Sequence, residues 1–568
     1  MFFNNGNARD FELNQMKKQY DVVILGGGLA GLTLSLQLKQ EKKDISILVL
    51  EQRKDNAPVA GHKVGESTVE LGTYYLREVL GLKKYLDEYQ LPKHGLRFFF
   101  SPKHKNKIEE RVELGPRDRL PVPSHQIDRG TFENELVYQN TDIGNEVLLG
   151  ARVKNVELNE GGHEITYKHE GEEITVGGRW VVDATGRGSF LKRKLGFQKE
   201  LDHPINASWF RVKGEVDVND WGGDEQWRDF LKPGLRRLGT VHLMDKGYWV
   251  WLIPLSSGNT SIGIVADPRF HPFEDFNTLE KAKNWLSVNE PQAFANIFHP
   301  TCEVVDFLFL KHYAHHSGRL YSEDRWAVVG ESGAFLDPFY SPGTDFIALA
   351  NSWAASLILR DLNNEDIFIH ARVYEQAHLG LFDNWIPVYK NKYQLMGRTQ
   401  IMVIKIFWDW AIYWSFFTFL FTNNALTDIT LLKKLFGTDD SLGAKLQQIN
   451  GLMQQLFIDW GEHDTEDFTN RYIDPFDLHC LKTFHKEMEV KHQPDKLMEK
   501  LEKNINILEK LSAEIFRHVS YQVNETSLDM PVNPYKMILN DPEKSSKEGI
   551  EVDPEIEKDV STMWFYKK

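Results

Sequence analysis

Asp21–Gly31 reads DVVILGGGLAG, and it decides the fold. Val22 to Leu25 are an unbroken apolar run, and Gly26, Gly28 and Gly31 follow in G-x-G-x-x-G spacing where an amphipathic helix begins. Directly after a strand and at the start of a helix, that spacing is specific to a dinucleotide turn. The glycines permit the tight turn and bring backbone close to a pyrophosphate, whose charge meets the N–H groups and dipole of the helix end. The next apolar strand, ILVLE, ends on Glu51, about twenty residues after the last glycine, where an acid accepts ribose hydroxyls. Tyr20 to Glu51 is therefore predicted to be a βαβ unit.

Residues 1–19 on the N-terminal side are polar and mixed in charge, lack the apolar core and small-residue cleavage site of a signal peptide, and read as a flexible lead. On the C-terminal side, strand signals run from about 118 to 188, through the Gly161-Gly162 turn and RWVVDATG. Alternating strands GYWVWLIPL and TSIGIVA then predict an inserted sheet at about 200–270. Another strand, RWAVVG, starts at Arg325 and leads into a helix from about Thr344. An interleaved cofactor and substrate domain is thus expected over 20–375. A helical region is expected over 376–525, where Leu442, Leu446, Ile449, Met453, Leu456 and Trp460 share one face and Leu497, Leu501, Ile505, Leu508, Leu511, Ile515 and Val519 share another. Scattered prolines and charges make 526–568 a polar tail, wrapping or loose.

The 568 residues are too many for one small core. A formal charge of −15 with no basic stripe argues against nucleic acid as a partner. Cys302 and Cys480 are the only cysteines, which excludes a disulfide framework and a thiolate zinc site and fits a reducing cytoplasm. His312, His315 and His316 would share a helical face at metal-like spacing, but no acid or cysteine completes a set, so no metal is expected. The segment 401–421, IMVIKIFWDWAIYWSFFTFLF, is apolar except for Lys405 and Asp409. Its uninterrupted run of about a dozen residues falls short of the roughly 20 of a spanning helix. It predicts a buried helix whose two charges pair at i and i+4, the other reading being weak contact with a membrane surface.

Further motifs identify the dinucleotide. VVDATGRG, with Asp183 and Gly186, and WAVVGESGAFLDPFYSPG, with Glu331 and Asp337, resemble the distal flavin motifs of the glutathione-reductase-like FAD superfamily. The resemblance places the first near the adenosine half, and brings an acid of the second to the ribityl chain and a helix N-terminus to the isoalloxazine. Glu331 stands where an aspartate is usual. Arg129, in QIDRGTFENEL, resembles the arginine set beside the flavin diphosphate. The fold expected is α/β: a glutathione-reductase-like, Rossmann-type FAD-binding fold with an inserted β-sheet substrate region and a helical C-terminal region. Later in the chain no second G-x-G-x-x-G follows a strand, so FADH2 is expected from a separate flavin reductase or from transiently bound NAD(P)H.

Two motifs narrow the family. Trp249–Pro254, WVWLIP, matches the W-x-W-x-I-P signature of flavin-dependent halogenases, and Val64–Thr68, VGEST, resembles their G-E-S/A loop near the flavin, here Gly65, Glu66 and Ser67. With the glycine turn, these motifs extend the resemblance over most of residues 20–375, nearer to members acting on phenols and pyrroles than to those acting on tryptophan. The resemblance implies oxidation of chloride or bromide to hypohalous acid, and a tunnel from flavin to an aromatic small-molecule or carrier-tethered substrate. Trp249 and Trp251, on one side of a strand, would block direct approach. Lys93, in LPKHGLRFFF, matches the K-x-G-x-x-F arrangement around the lysine that handles hypohalite. Backbone N–H groups near Ser341, Gly343 and Thr344 would hold the halide, although Pro342 has none to give. Tyr340 precedes Ser341 where tryptophan-acting members carry a glutamate. The competing expectations are an FAD monooxygenase or alkene reductase of the same fold, and a flavin-binding protein without turnover.

Overall fold

The computed structural model describes residues 18–58, 64–100, 105–121, 123–300, 302–463 and 472–564. All but the last two residues of the expected lead, and the final four of the tail, lie outside them. The first strand, Gln19–Leu25, pairs in parallel with Ile47–Glu51 on one side and Glu172–Asp183 on the other, Leu25 standing beside Leu50 and Asp183. Val22, Val23, Ile24 and Leu25 are fully buried, as they must be in parallel strands covered on both faces. Glu146–Leu149 extends this sheet beyond Ile47–Glu51, Trp326–Val328 pairs in parallel with Glu172–Asp183, and His163–His169 and Arg152–Glu157 add an antiparallel flank. Gly31 serves packing: a Cβ there would lie 2.0 Å from the Gly26 carbonyl oxygen.

The second sheet is wider than the 200–270 expectation. Its eight strands run in the order Val304–Leu310, Asn206–Lys213, Asn259–Ala266, Tyr248–Pro254, Thr240–Asp245, Leu96–Phe100, Val112–Leu114 and Tyr472–Ile473. Half of them lie outside the expected window, because pairing across a sheet is set by long-range partners that local alternation does not reveal. A separate two-stranded ribbon pairs Leu91–Lys93 with Ser124–Gln126 and sets Lys93 opposite Ser124.

Both predicted helical faces are present, in Leu442–Gly461 and Pro494–Asn524, with every named residue buried except the half-buried Leu442. Thr399–Thr422 has 94% of its most apolar stretch buried inside the protein, and Lys405 and Asp409 form an ion pair. The tail is not loose. Met537, Leu539, Ile556, Val560 and Trp564 join the main core, and the Trp564 ring stacks on Trp460 at 5.1 Å. The helical face expected for the three histidines is absent: His312 has left-handed backbone, His315 bridges to Phe335, and His316 lies in a short strand.

Candidate active site

A cleft of about 730 Å³ opens at the C-terminal ends of the parallel strands, where doubly wound sheets bind ligands. Gly26, Gly28, Glu51, Arg129, Gly186 and Glu331 line it, as do Gly65, Glu66 and Ser67. Its shape excludes side chains where a dinucleotide backbone contact is needed. A Cβ on Gly26 would lie 2.3 Å from the Ala184 carbonyl oxygen, and one on Gly65 2.9 Å from Arg129 Nη1. Glu51 turns one oxygen to the Gly27 N–H at 2.8 Å. Arg129 Nη1 donates to the Val64 carbonyl at 2.8 Å, while its buried Nε has no partner among the described residues. These residues fit FAD.

Four predicted residues stand away from the cleft surface. Gly31 packs helix on strand, and Pro254 ends its strand without reaching the cavity. Asp183 is buried; Oδ1 accepts from Thr185 N–H at 2.9 Å and Oδ2 from Leu191 N–H at 2.7 Å, so it shapes the motif from beneath. Asp337 is enclosed by three side chains. Its Oδ2 is 2.7 Å from His203 Nε2 and accepts from the Tyr393 and Tyr313 hydroxyls at 2.8 and 3.2 Å, and its Oδ1 accepts from the Phe339 N–H at 2.9 Å.

Trp249 and Trp251 form the cleft wall at the substrate-sheet side, their rings 5.7 Å apart. Gly263 makes room for one of them, since a Cβ there would lie 2.1 Å from the Trp251 ring. Trp249 Nε1 donates to the Tyr393 hydroxyl at 3.1 Å, which ties it to Asp337. His242, which the sequence reading missed, sits between Trp249 and Phe98 at ring distances of 5.1 and 4.5 Å. Burial and the nearby Lys93 charge lower its pKa to about 3, so the ring is neutral.

Behind this wall lies a second, almost wholly apolar cavity of about 90 Å³, and Lys93 lines it rather than the cofactor cleft. The partition is the loop before the helix Gly343–Leu362. Ser341, Gly343 and Thr344 face the cleft, whereas Tyr340, Pro342 and Asp345 face the cavity. Tyr340 and Ser341 both have left-handed backbone, at φ 71° and 61°, which costs on the order of 1–3 kcal/mol per residue. Side-chain bonds hold them there: the Tyr340 hydroxyl donates to Asp409 at 2.8 Å, and the Ser341 hydroxyl to Ser67 at 3.0 Å. The Ser341 N–H already donates to Pro338 O at 2.9 Å, so it is not available to a halide. Gly343 and Thr344, in the first helical turn, have N–H groups with no intrahelical acceptor.

Lys93 is fully buried, with Nζ donating to the Thr68 carbonyl at 2.5 Å. Burial pulls its pKa down to about 7, against the opposing pull of Glu70 and Asp345. The apolar segment 401–421 helps to build this cavity, contributing Asp409, Trp410, Ile412, Tyr413, Trp414 and Phe417. The alternation of aromatic residues in 401–421 was the available signal, but it reads equally as ordinary core.

A parallel-sheet dinucleotide cleft backed by a second sheet and a walled-off apolar cavity defines a two-compartment FAD oxidoreductase. An FAD binding domain family model matches residues 19–261. Flavin-dependent halogenase chlA of Dictyostelium discoideum is 29% identical over 435 residues, 70% of each chain. The 1H-pyrrole-2-carbonyl-(peptidyl-carrier protein) brominase of Pseudoalteromonas luteoviolacea is 27% identical, with 70% of this chain and 88% of the brominase covered. Among solved structures, a point mutant of halogenase PltM in complex with FAD superposes with a TM-score of 0.61 at 17% identity, over 87% of this chain and 96% of PltM. Over about 70% of its length the chain is similar to flavin-dependent halogenases.

Proposed function

We propose that this enzyme uses FADH2 and O2 to chlorinate or brominate an electron-rich, phenol-like aromatic through hypohalous acid. Bound reduced flavin supplies, with oxygen, the two-electron oxidation of halide. The observation that carries the reading is Lys93, a buried ammonium in an aromatic-walled cavity on the far side of a partition from the cofactor cleft. A monooxygenase needs flavin and substrate in one compartment; this arrangement keeps them apart and gives a diffusing oxidant a hydrogen-bonding target.

In this reading Gly26, Gly28, Glu51, Gly65, Glu66, Ser67, Arg129, Gly186 and Glu331 hold FAD, and the Gly343 and Thr344 N–H groups hold the halide. Trp249 and Trp251 exclude substrate from the flavin. Lys93 hydrogen-bonds hypohalous acid and directs it to the ring. The single-compartment size of the cavity favours a one-ring substrate, free or presented by a carrier protein as in the pyrrole brominase. A separate flavin reductase or transiently bound NAD(P)H supplies FADH2. Incubating the enzyme with FADH2, oxygen, chloride or bromide and a phenol and pyrrole panel should give halogenated arenes by mass spectrometry. Hydroxylated or reduced products alone would instead favour the monooxygenase or reductase.

A further inference from the structure

Three carboxylates line the cavity that holds Lys93: Glu70, Asp345 and Asp409. Asp409 is neutralised by Lys405 and also accepts from Tyr340 and Gln454. Glu70 keeps contact with solvent at 11% side-chain exposure. Asp345 differs from both. It is 1% exposed, its Oδ1 accepts from the Gly72 N–H at 2.8 Å and its Oδ2 from the Tyr413 hydroxyl at 2.8 Å, both neutral donors. A carboxylate accepts about four bonds, so accepting capacity remains on a residue that lines the cavity. Lys93 lines the same cavity, and its charge opposes the burial that raises Asp345.

We infer that Asp345 is the base of the halogenation, taking the ring proton that the halogen displaces. This rests on the proposed phenol halogenation. Hypohalous acid is hydrogen-bonded to the Lys93 ammonium. The carbon–halogen bond forms as the halogen–oxygen bond breaks, and the departing hydroxide leaves as water with a Lys93 proton. The carbon–hydrogen bond then breaks; its electron pair restores the aromatic ring and its proton goes to the Asp345 carboxylate. Arene and hypohalous acid have become haloarene and water, leaving Lys93 neutral and Asp345 protonated. Proton return from Asp345 to Lys93 resets both.

The acidities suit that return. Burial raises Asp345 to about 7, with Tyr413 and Gly72 opposing the rise, and burial lowers Lys93 to about 7, so the transfer back runs between groups of similar pKa. Tyr413 orients the carboxylate, since its hydroxyl accepts from the Leu71 N–H at 3.0 Å and donates to Asp345. It also opens the π-helical turn Tyr413–Thr418, and such turns are frequent at functional sites. The glutamate missing before Ser341 is thus replaced by a carboxylate four residues further on.

Glu70, Lys93 and Tyr413 share the cavity with Asp345 and complicate any pH profile, so the decisive readout is isotopic. Holoenzyme carrying Asp345→Asn should bind FAD normally yet form haloarene ~100-fold more slowly, the usual weight of a general base. A ring-deuterated phenol should react measurably more slowly than the protiated one in this variant and at the same rate in the parent, because only the variant is limited by proton loss. Asp345→Glu should recover part of the rate. Parent-like turnover in Asp345→Asn, or a loss of rate with no isotope effect and no recovery by Glu, overturns the base assignment. Absence of haloarene from the parent overturns the function on which it rests, and is told apart by that control alone.

Discussion

Lys93 is where residue-scale physics and function meet. An amine held at about 7 in the fold but 10.5 when exposed binds its proton more weakly when folded, so protonation favours the unfolded chain. That cost is present in full below about pH 7 and fades as pH rises through 10.5. Lys93→Met should therefore stabilise the protein by on the order of 2 kcal/mol at pH 7, after loss of the bond to Thr68, with the gain shrinking towards pH 10.5. Denaturant unfolding across that range measures it. The same variant should keep FAD binding and oxygen consumption while losing halogenated product, and Lys93→Arg should lose product too, because guanidinium keeps its proton. Parent-like halogenation by either variant would remove Lys93 from catalysis. The sequence exposed this lysine through its K-x-G-x-x-F neighbours, but its burial depends on aromatic walls more than 300 residues away in the chain.

At the scale of elements, the partition is a strained loop and a tryptophan strand held by one carboxylate. Asp337 reaches the loop through the Phe339 N–H and Trp249 through Tyr393. Reading the motif by resemblance puts Asp337 at the flavin; the fold puts it one layer behind, because donors from residues 203, 313 and 393 converge on it and no local pattern announces them. Asp337→Asn should cost about 2–4 kcal/mol by leaving buried donors unmatched. It should change FAD affinity less than about threefold, under 1 kcal/mol. Its signature is uncoupling: more hydrogen peroxide released per haloarene formed, as the wall loosens. An unchanged peroxide-to-product ratio would show that Asp337 supports the fold only. Trp249 and Trp251 stand out in the sequence through the W-x-W-x-I-P resemblance, strand alternation putting them on one side; Asp345, four residues beyond the motif serine, carries no such signal, since a first-turn helix acid ordinarily reads as a cap.

Across the whole molecule, the cofactor cleft is built from residues up to Ile347, whereas the cavity depends on the C-terminal helices. The helix Pro494–Asn524 backs the 399–422 segment, Asn504 donating to the Ser415 carbonyl at 2.8 Å. The tail in turn backs that helix: Arg517, ion-paired with Glu514, donates to the carbonyls of Met530 and Ile550, and Trp564 packs on Trp460 and His518. Composition made 526–568 look solvated because its few apolar residues are spaced among charges, and only the partners they meet give them a buried face. The chain of supports predicts a split response to damage at its far end. Trp564→Ala should destabilise by about 3–5 kcal/mol, the usual range for a buried large aromatic. FAD affinity should stay near that of the parent, since the residues lining the cleft run no further than Ile347, while phenol binding and haloarene yield fall as the cavity wall relaxes. Calorimetry, flavin fluorescence titration and product analysis on the full chain separate these effects. Parallel loss of FAD affinity and haloarene yield would mean that the two compartments share one cooperative support, and the division of labour between sheet and helices would have to be abandoned.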